Sequence, residues 1–276
     1  MFGHPRGLST LFFTEMWERF SFYGMRALLV LYLTSEIMNG GFAYTRDHAL
    51  EIYGIFTALV YLSPLLGGFL ADKFLGQRKS IYIGGILMAA GQLLLSISQN
   101  GNDIDNRTFW LLWGLGLLVS GNGFFKPNIS AIVGNLYQEN DPRKDSAFTI
   151  FYMGINVGAF FSPIIAGTLG EKFGWGWGFL SAAVGMLAGI IWFYFQSHHI
   201  KDAGLPPGRV YDETKRWQLT IRDRFEIAVI SAGVAILVLG ILQLWGYIGE
   251  SFKSNTLLSI AVIGSIDFIY LIIGIK

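Results

Sequence analysis

Between Glu15 and Arg26 four ionisable residues, Glu15, Glu18, Arg19 and Arg26, interrupt a run that otherwise reads as a membrane-spanning helix, Glu15-Met16-Trp17-Glu18-Arg19-Phe20-Ser21-Phe22-Tyr23-Gly24-Met25-Arg26. On insertion scales a charged side chain at the bilayer centre costs about 2.5–3.5 kcal/mol, so such residues face a protein interior or a water-filled cavity and mark a transport path. The rest of the chain agrees with a membrane setting. Of its 276 residues 53% are hydrophobic and 14% charged, against about 25% charged in soluble domains. The net charge is +1 with the basic residues scattered, which sets nucleic-acid binding aside. Cys is absent, excluding disulfides and thiolate metal sites, and His4, His48, His198 and His199 lie outside the apolar runs. No metal centre or cofactor is expected, and no nucleophile with a paired base appears in the spans, so an enzyme is not expected. Because Glu15, Glu18 and Arg19 fall where a signal peptide would need its apolar core, the amino terminus is expected to be retained as a helix.

About 20 apolar residues cross a bilayer. That length predicts spans near 8–35, 50–71, 80–98, 109–133, 147–170, 177–197, 225–247 and 256–276, an all-α membrane protein. With the amino terminus in the cytoplasm, Arg6, Lys73, Arg78, Lys79, Arg143, Lys144, Lys201, Arg209, Lys215, Arg216, Arg222 and Arg224 lie inside and Arg46, Arg107, Lys172 and Lys253 outside. That asymmetry satisfies the positive-inside rule. Residues 198–224, with Pro206-Pro207-Gly208 and charges of both signs, read as a solvated cytoplasmic linker dividing six helices from two. Gly154 with Gly158 and Gly185 with Gly189 have the spacing that lets helices approach closely in lipid.

On a 3.6-residue period Glu15, Glu18, Arg19, Phe22, Tyr23 and Arg26 share one face. Glu15 and Arg19 have the favourable acid-first i,i+4 order, which leaves Glu18 the more available carboxylate. Lys126 lies two thirds along the fourth span beside Pro127, in Gly121-Asn122-Gly123-Phe124-Phe125-Lys126-Pro127-Asn128. A proline there suggests a broken helix of the kind that lines binding sites, with Lys126 facing a substrate carboxylate or pairing with Glu18. Asn156, mid-span in Phe151-Tyr152-Met153-Gly154-Ile155-Asn156, is placed either for substrate hydrogen bonds or for interhelical ones, and Tyr61 either lines the same cavity or packs. Between the second and third spans, Gly67 to Lys79 reads as a tight loop in which Asp72 near Lys73, Arg78 and Lys79 forms a breakable latch.

These residues resemble the proton-dependent oligopeptide transporters, a branch of the major facilitator superfamily. The resemblance rests on Glu15, Glu18, Arg19 and Phe20 in the first span, Lys126-Pro127-Asn128 in the fourth, and Phe151-Tyr152 with Asn156 in the fifth. Gly68 to Lys79 is similar to a loop of the wider superfamily. The resemblance implies symport of di- and tripeptides with protons into the cell across a bacterial cytoplasmic membrane, by alternating access. It implies proton coupling by Glu15, Glu18, Arg19 and Lys126. Peptide contacts would come from Tyr23, Arg26, Tyr61, Lys126 and Asn156, and a cytoplasmic gate from Gly68, Asp72, Lys73 and Arg78. Phe22 replaces a pocket tyrosine found in many relatives. By the same resemblance 1–197 forms the amino-terminal six-helix bundle, 198–224 the linker and 225–276 an extra helix pair. A carboxy-terminal six-helix bundle, in the same protein or a second chain, would follow Lys276 and complete the cavity, so the chain alone is expected not to transport. Transport of nitrate or another small anion, or a non-transporting peptide-binding subunit, are the alternatives.

Overall fold

In a computed structural model that describes residues 3–101, 103–205 and 220–247, the chain is helical and, among the described residues, carries no strand. The helices are α1 (Arg6–Thr34), α2 (Arg46–Leu70), α3 (Gln77–Ser98), α4 (Ile104–Asn135), α5 (Lys144–Ser162), α6 (Thr168–Phe173), α7 (Trp175–Gln196) and α8 (Ile221–Tyr247). Five stretches are long and apolar enough to cross a membrane, namely Arg46–Leu75, Gln77–Ser98, Ile104–Asn135, Lys144–Phe173 and Trp175–Ile200. α1, with Glu15, Glu18, Arg19 and Arg26 along it, is not in that group. The span expected at 256–276 lies outside the described residues, as do 206–219.

Short polar side chains start several helices. The Thr45 hydroxyl accepts from His48 N–H and the Asp103 carboxylate from Asn106 N–H at 2.7 Å, each satisfying one of the donors that a helix start leaves open. The break expected at Pro127 is absent. Pro127 sits inside an unbroken α4, and the missing N–H at Pro127 releases the Gly123 carbonyl, against which Gly67 of α2 packs so closely that a Cβ would overlap it. The fifth span is a single run in which α5 passes through a π turn, Pro163–Gly167, into α6, the register shift following from the absent Pro163 N–H. Likewise the expected loop after the second span is a π turn, Ala71–Leu75, that continues α2. The chain reverses at Gly76, whose φ of 76° favours glycine.

α1 lies between α5 and α7. A Cβ at Gly158 would strike the Met16 carbonyl, one at Gly154 the Phe12 backbone, one at Gly185 the Phe20 ring and one at Gly189 the Trp17 Cβ. The glycine pairs of the fifth and seventh helices are thus the surface that lets α1 sink into the bundle. On the other side α3 and α4 cross through Gly84 against Gly121 and Gly91 against Gly114. Leu8, Leu11, Leu28, Phe125, Phe151 and Phe193 fill the core between these layers.

The connections gather at two ends. At one, His4 Nδ1 lies 2.9 Å from the Tyr137 hydroxyl, Arg143 donates to the Gly3 carbonyl at 3.1 Å, and Asn135 donates to Gln77 at 3.2 Å. There the side-chain and backbone N–H groups of Arg143 pull the Asp141 carboxyl down to about 2. At the other, Arg107 donates to the Gly41 carbonyl at 2.9 Å and the Trp175 indole to the Asn39 carbonyl at 3.1 Å. Lys73, Arg78, Lys79 and Arg143 fall at the first end and Arg107 at the second, the grouping that the positive-charge count predicted.

The start of the expected solvated linker is folded onto the bundle instead. Ile200 is buried, and Arg78 donates through Nε to the Ala203 carbonyl at 2.8 Å and also to the Lys201 carbonyl, while its backbone N–H bonds the Gly204 carbonyl at 2.9 Å. α8 begins at Ile221, four residues earlier than the spacing predicted, because its first turn has a polar purpose. Lys79 of α3 reaches Asp223 Oδ1 at 2.9 Å and also pairs with Glu226, which Arg222 holds at 2.9 Å. The Asp223 side chain is fully buried and that of Glu226 is 32% exposed. Replacing Lys79 by Ala takes the cation from the buried Asp223, and because Asp223 keeps the Thr220 hydrogen bonds and Glu226 keeps water and Arg222 the expected loss is about 2 kcal/mol, below the 3–5 typical of a wholly buried pair. Hydrogen exchange will show the first two turns of α8 opening while α3 and α4 stay protected; unchanged protection of α8 would mean that apolar packing alone holds it.

Candidate functional site

The charged layer of α1 is buried. Glu15, Glu18 and Arg19 are 2%, 0% and 4% exposed, a degree of enclosure that Gly158 makes possible, since its missing Cβ lets α5 rest on Arg19 Cβ and the Met16 carbonyl. Arg19 Nε stands 3.0 Å from Glu15 Oε1, and the same guanidinium holds Glu18 through two N–H groups, with Nη2 at 2.7 Å from Oε1. The expectation that Glu18 would be the more available carboxylate is therefore reversed. Glu18 is held by both of its oxygens, whereas Glu15 keeps Oε2 buried without a hydrogen bond. Helical spacing favours the i,i+4 pair on an exposed surface, but in a site closed to water the fork of a guanidinium does better with a bidentate partner.

Two carboxylates and one guanidinium leave the layer one negative charge in excess when all are ionised. Lys126, on α4, is half-buried. It makes no ion pair with Glu18 or any other carboxylate among the described residues; its Nζ lies over the Tyr61 ring, 5.2 Å from the centroid. Of the two partners expected for Lys126, Glu18 does not pair with it, and its Nζ faces an aromatic ring instead.

Toward the Gly40 end the α1 stripe opens. Tyr23 is partly exposed and Arg26 exposed, with the Arg26 guanidinium bonded to the Tyr53 hydroxyl of α2 and its Cζ 5.5 Å from that ring's centroid. Phe22, in place of a tyrosine, lies 5.3 Å from Arg19 Cζ and offers that cation a ring face rather than a hydroxyl. Tyr61 is 64% exposed. On α5 Phe151 is buried, whereas Tyr152 and Asn156 are exposed, and Asn156 makes no interhelical hydrogen bond among the described residues.

The turn after α2 distributes its charges unevenly. Asp72 is exposed and forms no ion pair among the described residues, and Lys73 lies over the Phe69 ring at 4.7 Å. Arg78 and Lys79 are buried at the start of α3, occupied with the segment after α7 and with α8. Gly68 packs on Pro127. A recess of about 160 Å³ lined by Asp72, Gln77 and Asn135 opens beside this turn, far from the charged layer.

Sequence reading missed Tyr53 and Asn122. Tyr53, Thr57 and Tyr61 stand at i, i+4 and i+8 on α2, and Asn122 stands four residues before Lys126. In both cases the signal was a polar residue one or two turns from a residue already singled out.

The helices thus define a multi-pass membrane protein whose buried charge layer sits beside an open polar face. The family profile described as the POT family matches residues 78–236. Peptide transporter YePEPT of Yersinia enterocolitica is 46% identical over 70% of this chain and 37% of its own length, and a di-/tripeptide transporter of Lactococcus lactis subsp. lactis is 36% identical over 95% of this chain and 51% of its own. A crystal structure of a peptide transporter POT in complex with sulfate superimposes with a TM-score of 0.73 at 39% identity, over 98% of this chain and 53% of that one. The chain belongs to the POT family of transporters. It spans about half, or less, of the length of these relatives.

Proposed function

We propose that this chain forms the amino-terminal part of a symporter that carries di- and tripeptides into the cell together with protons by alternating access. The observation that carries the reading is the buried Glu15–Glu18–Arg19 layer, one negative charge in excess, together with a Lys126 that forms no ion pair among the described residues. Such a layer is stable only if a proton or a cation completes it, so a motion that brings Lys126 toward the carboxylates or away from them loads and releases a proton. Tyr23, Arg26, Tyr61 and Asn156 line the open side of this layer. There Arg26 meets a peptide carboxylate and Asn156 a peptide amide, and Lys126 serves both peptide and proton. A carboxy-terminal six-helix bundle supplies the facing wall.

In this reading the His4 end, with its basic residues, faces the cytoplasm of a bacterium, and residues 1–197 form one six-helix bundle in the lipid. The segment 198–224 and the helix pair in 225–276 connect it to the rest. Asp72, Lys73, Arg78 and Gly68 belong to the cytoplasmic gate, where Asp72 is the member free to bond a moving partner.

The test is uptake by the complete transporter in liposomes. Labelled dialanine should accumulate under an inside-alkaline gradient, stop accumulating with a protonophore and be displaced by unlabelled dipeptides. Displacement by nitrate but not by dipeptides would move the substrate to a small anion, and binding without accumulation would make the protein a receptor.

A further inference from the structure

Asn122 of α4 is wholly buried, and neither its amide nitrogen nor its amide oxygen has a hydrogen-bond partner. A buried amide left open at both ends is rare in a native interior and signals a bound water, an ion or a working role. Its position on the helix is set by its neighbours. A Cβ on Gly121 would strike the Gly84 carbonyl of α3, and one on Gly123 would strike Ser63 of α2. Asn122 lies between those two contacts around the helix and one turn before Lys126, and α4 also touches α1. On α1, Glu15 Oε2 is likewise buried and unbonded among the described residues.

We propose that Asn122 is a positioning residue that holds a buried water between the α1 carboxylates and Lys126, and that the transported proton crosses this water. The inference rests on the symport reading above. A water in such a site needs two to four polar partners. Asn122 offers a donor and an acceptor, Glu15 Oε2 an acceptor and Lys126 a further nitrogen. The charged and titratable groups around it are Glu15, Glu18, Arg19 and Tyr23 from α1, Lys126 from α4 and Tyr61 from α2. From α3 comes the uncharged Gln92, whose amide nitrogen donates to Ser21 while its Oε1 has no partner among the described residues, and from α5 the uncharged Asn156. In the transfer a protonated Glu15 carboxyl gives its proton to the water while the water gives one of its own to a neutral Lys126 amine. Carboxylate, water and ammonium remain, with atoms and charge conserved.

Two variants of the complete transporter test this, Asn122→Leu, which fills the site without polar atoms, and Asn122→Ser, which keeps a donor and an acceptor. Gradient-driven dipeptide uptake should fall roughly tenfold or more in Asn122→Leu with a flattened pH profile, while peptide counterflow, which moves no net proton, stays within about twofold; Asn122→Ser should recover most of the driven uptake. Infrared difference spectra of the purified protein on acidification, read with H2(18)O substitution, should show a buried-water band in the parent that is missing in Asn122→Leu. Equal loss of driven uptake and counterflow, or a water band unchanged in Asn122→Leu, would overturn the proposal and make Asn122 a packing residue. Absence of peptide counterflow in the parent overturns the peptide reading alone, because the water band needs no substrate.

Discussion

Arg19→Leu will lower the stability of the protein by about 3–5 kcal/mol, the cost of removing one partner from a buried ionic cluster and leaving the other charges uncompensated. Arg19 is the shared partner of Glu15 and Glu18 in a layer that water does not reach, so both carboxylates must take up protons or the layer must open. Thermal unfolding in detergent should show a midpoint lowered by about 10 °C. The effect should shrink as the pH is lowered, because protonated carboxyls no longer need a cation. Replacing Glu15, Glu18 and Arg19 together by Leu should restore much of the stability and none of the transport, since a buried ionic triad can be exchanged for apolar residues at little cost. A midpoint within 2 °C of the parent in the single variant would mean that the layer is solvated in the working protein.

Lys126→Ala should abolish gradient-driven peptide uptake, by about 100-fold or more when the neutral Lys126 amine is the group that receives the proton, with little change in folding. The asymmetry between this variant and Arg19→Leu follows from the geometry. Lys126 is half-buried, bonds no carboxylate and rests on an exposed aromatic ring, so its loss leaves no pair broken. Counterflow at equal pH on both sides should survive in Lys126→Ala in part, limited by the lost contact to the peptide. Full concentrative uptake by this variant would return Lys126 to a packing role.

Most of the helices and much of the candidate site were legible in the sequence. α1 was readable in spite of its charges because Ala27 to Leu33 supplies an apolar half and the ionisable residues share one face. The paired glycines of α5 and α7 announced close packing, and α1 is the helix they receive. Pro127 misled, because a proline inside a helix breaks it only where the freed carbonyl has no neighbour; here Gly67 covers that carbonyl. The linker misled for a related reason. Its charges and its proline pair signal solvent, yet Arg78 and Lys79 of α3 hold its two ends, at Ala203 and at Asp223.

What the sequence by itself determined is the set of helices, their amphipathic faces and the residues that membrane insertion makes costly, since hydropathy and a 3.6-residue period are local properties of the chain. Which carboxylate Arg19 grips, which side of α4 Asn122 and Lys126 occupy, and which helix Lys79 ties down were decided by tertiary structure alone. Buried charges choose partners by distance and by access to water, and both are set only when helices far apart in the chain cross.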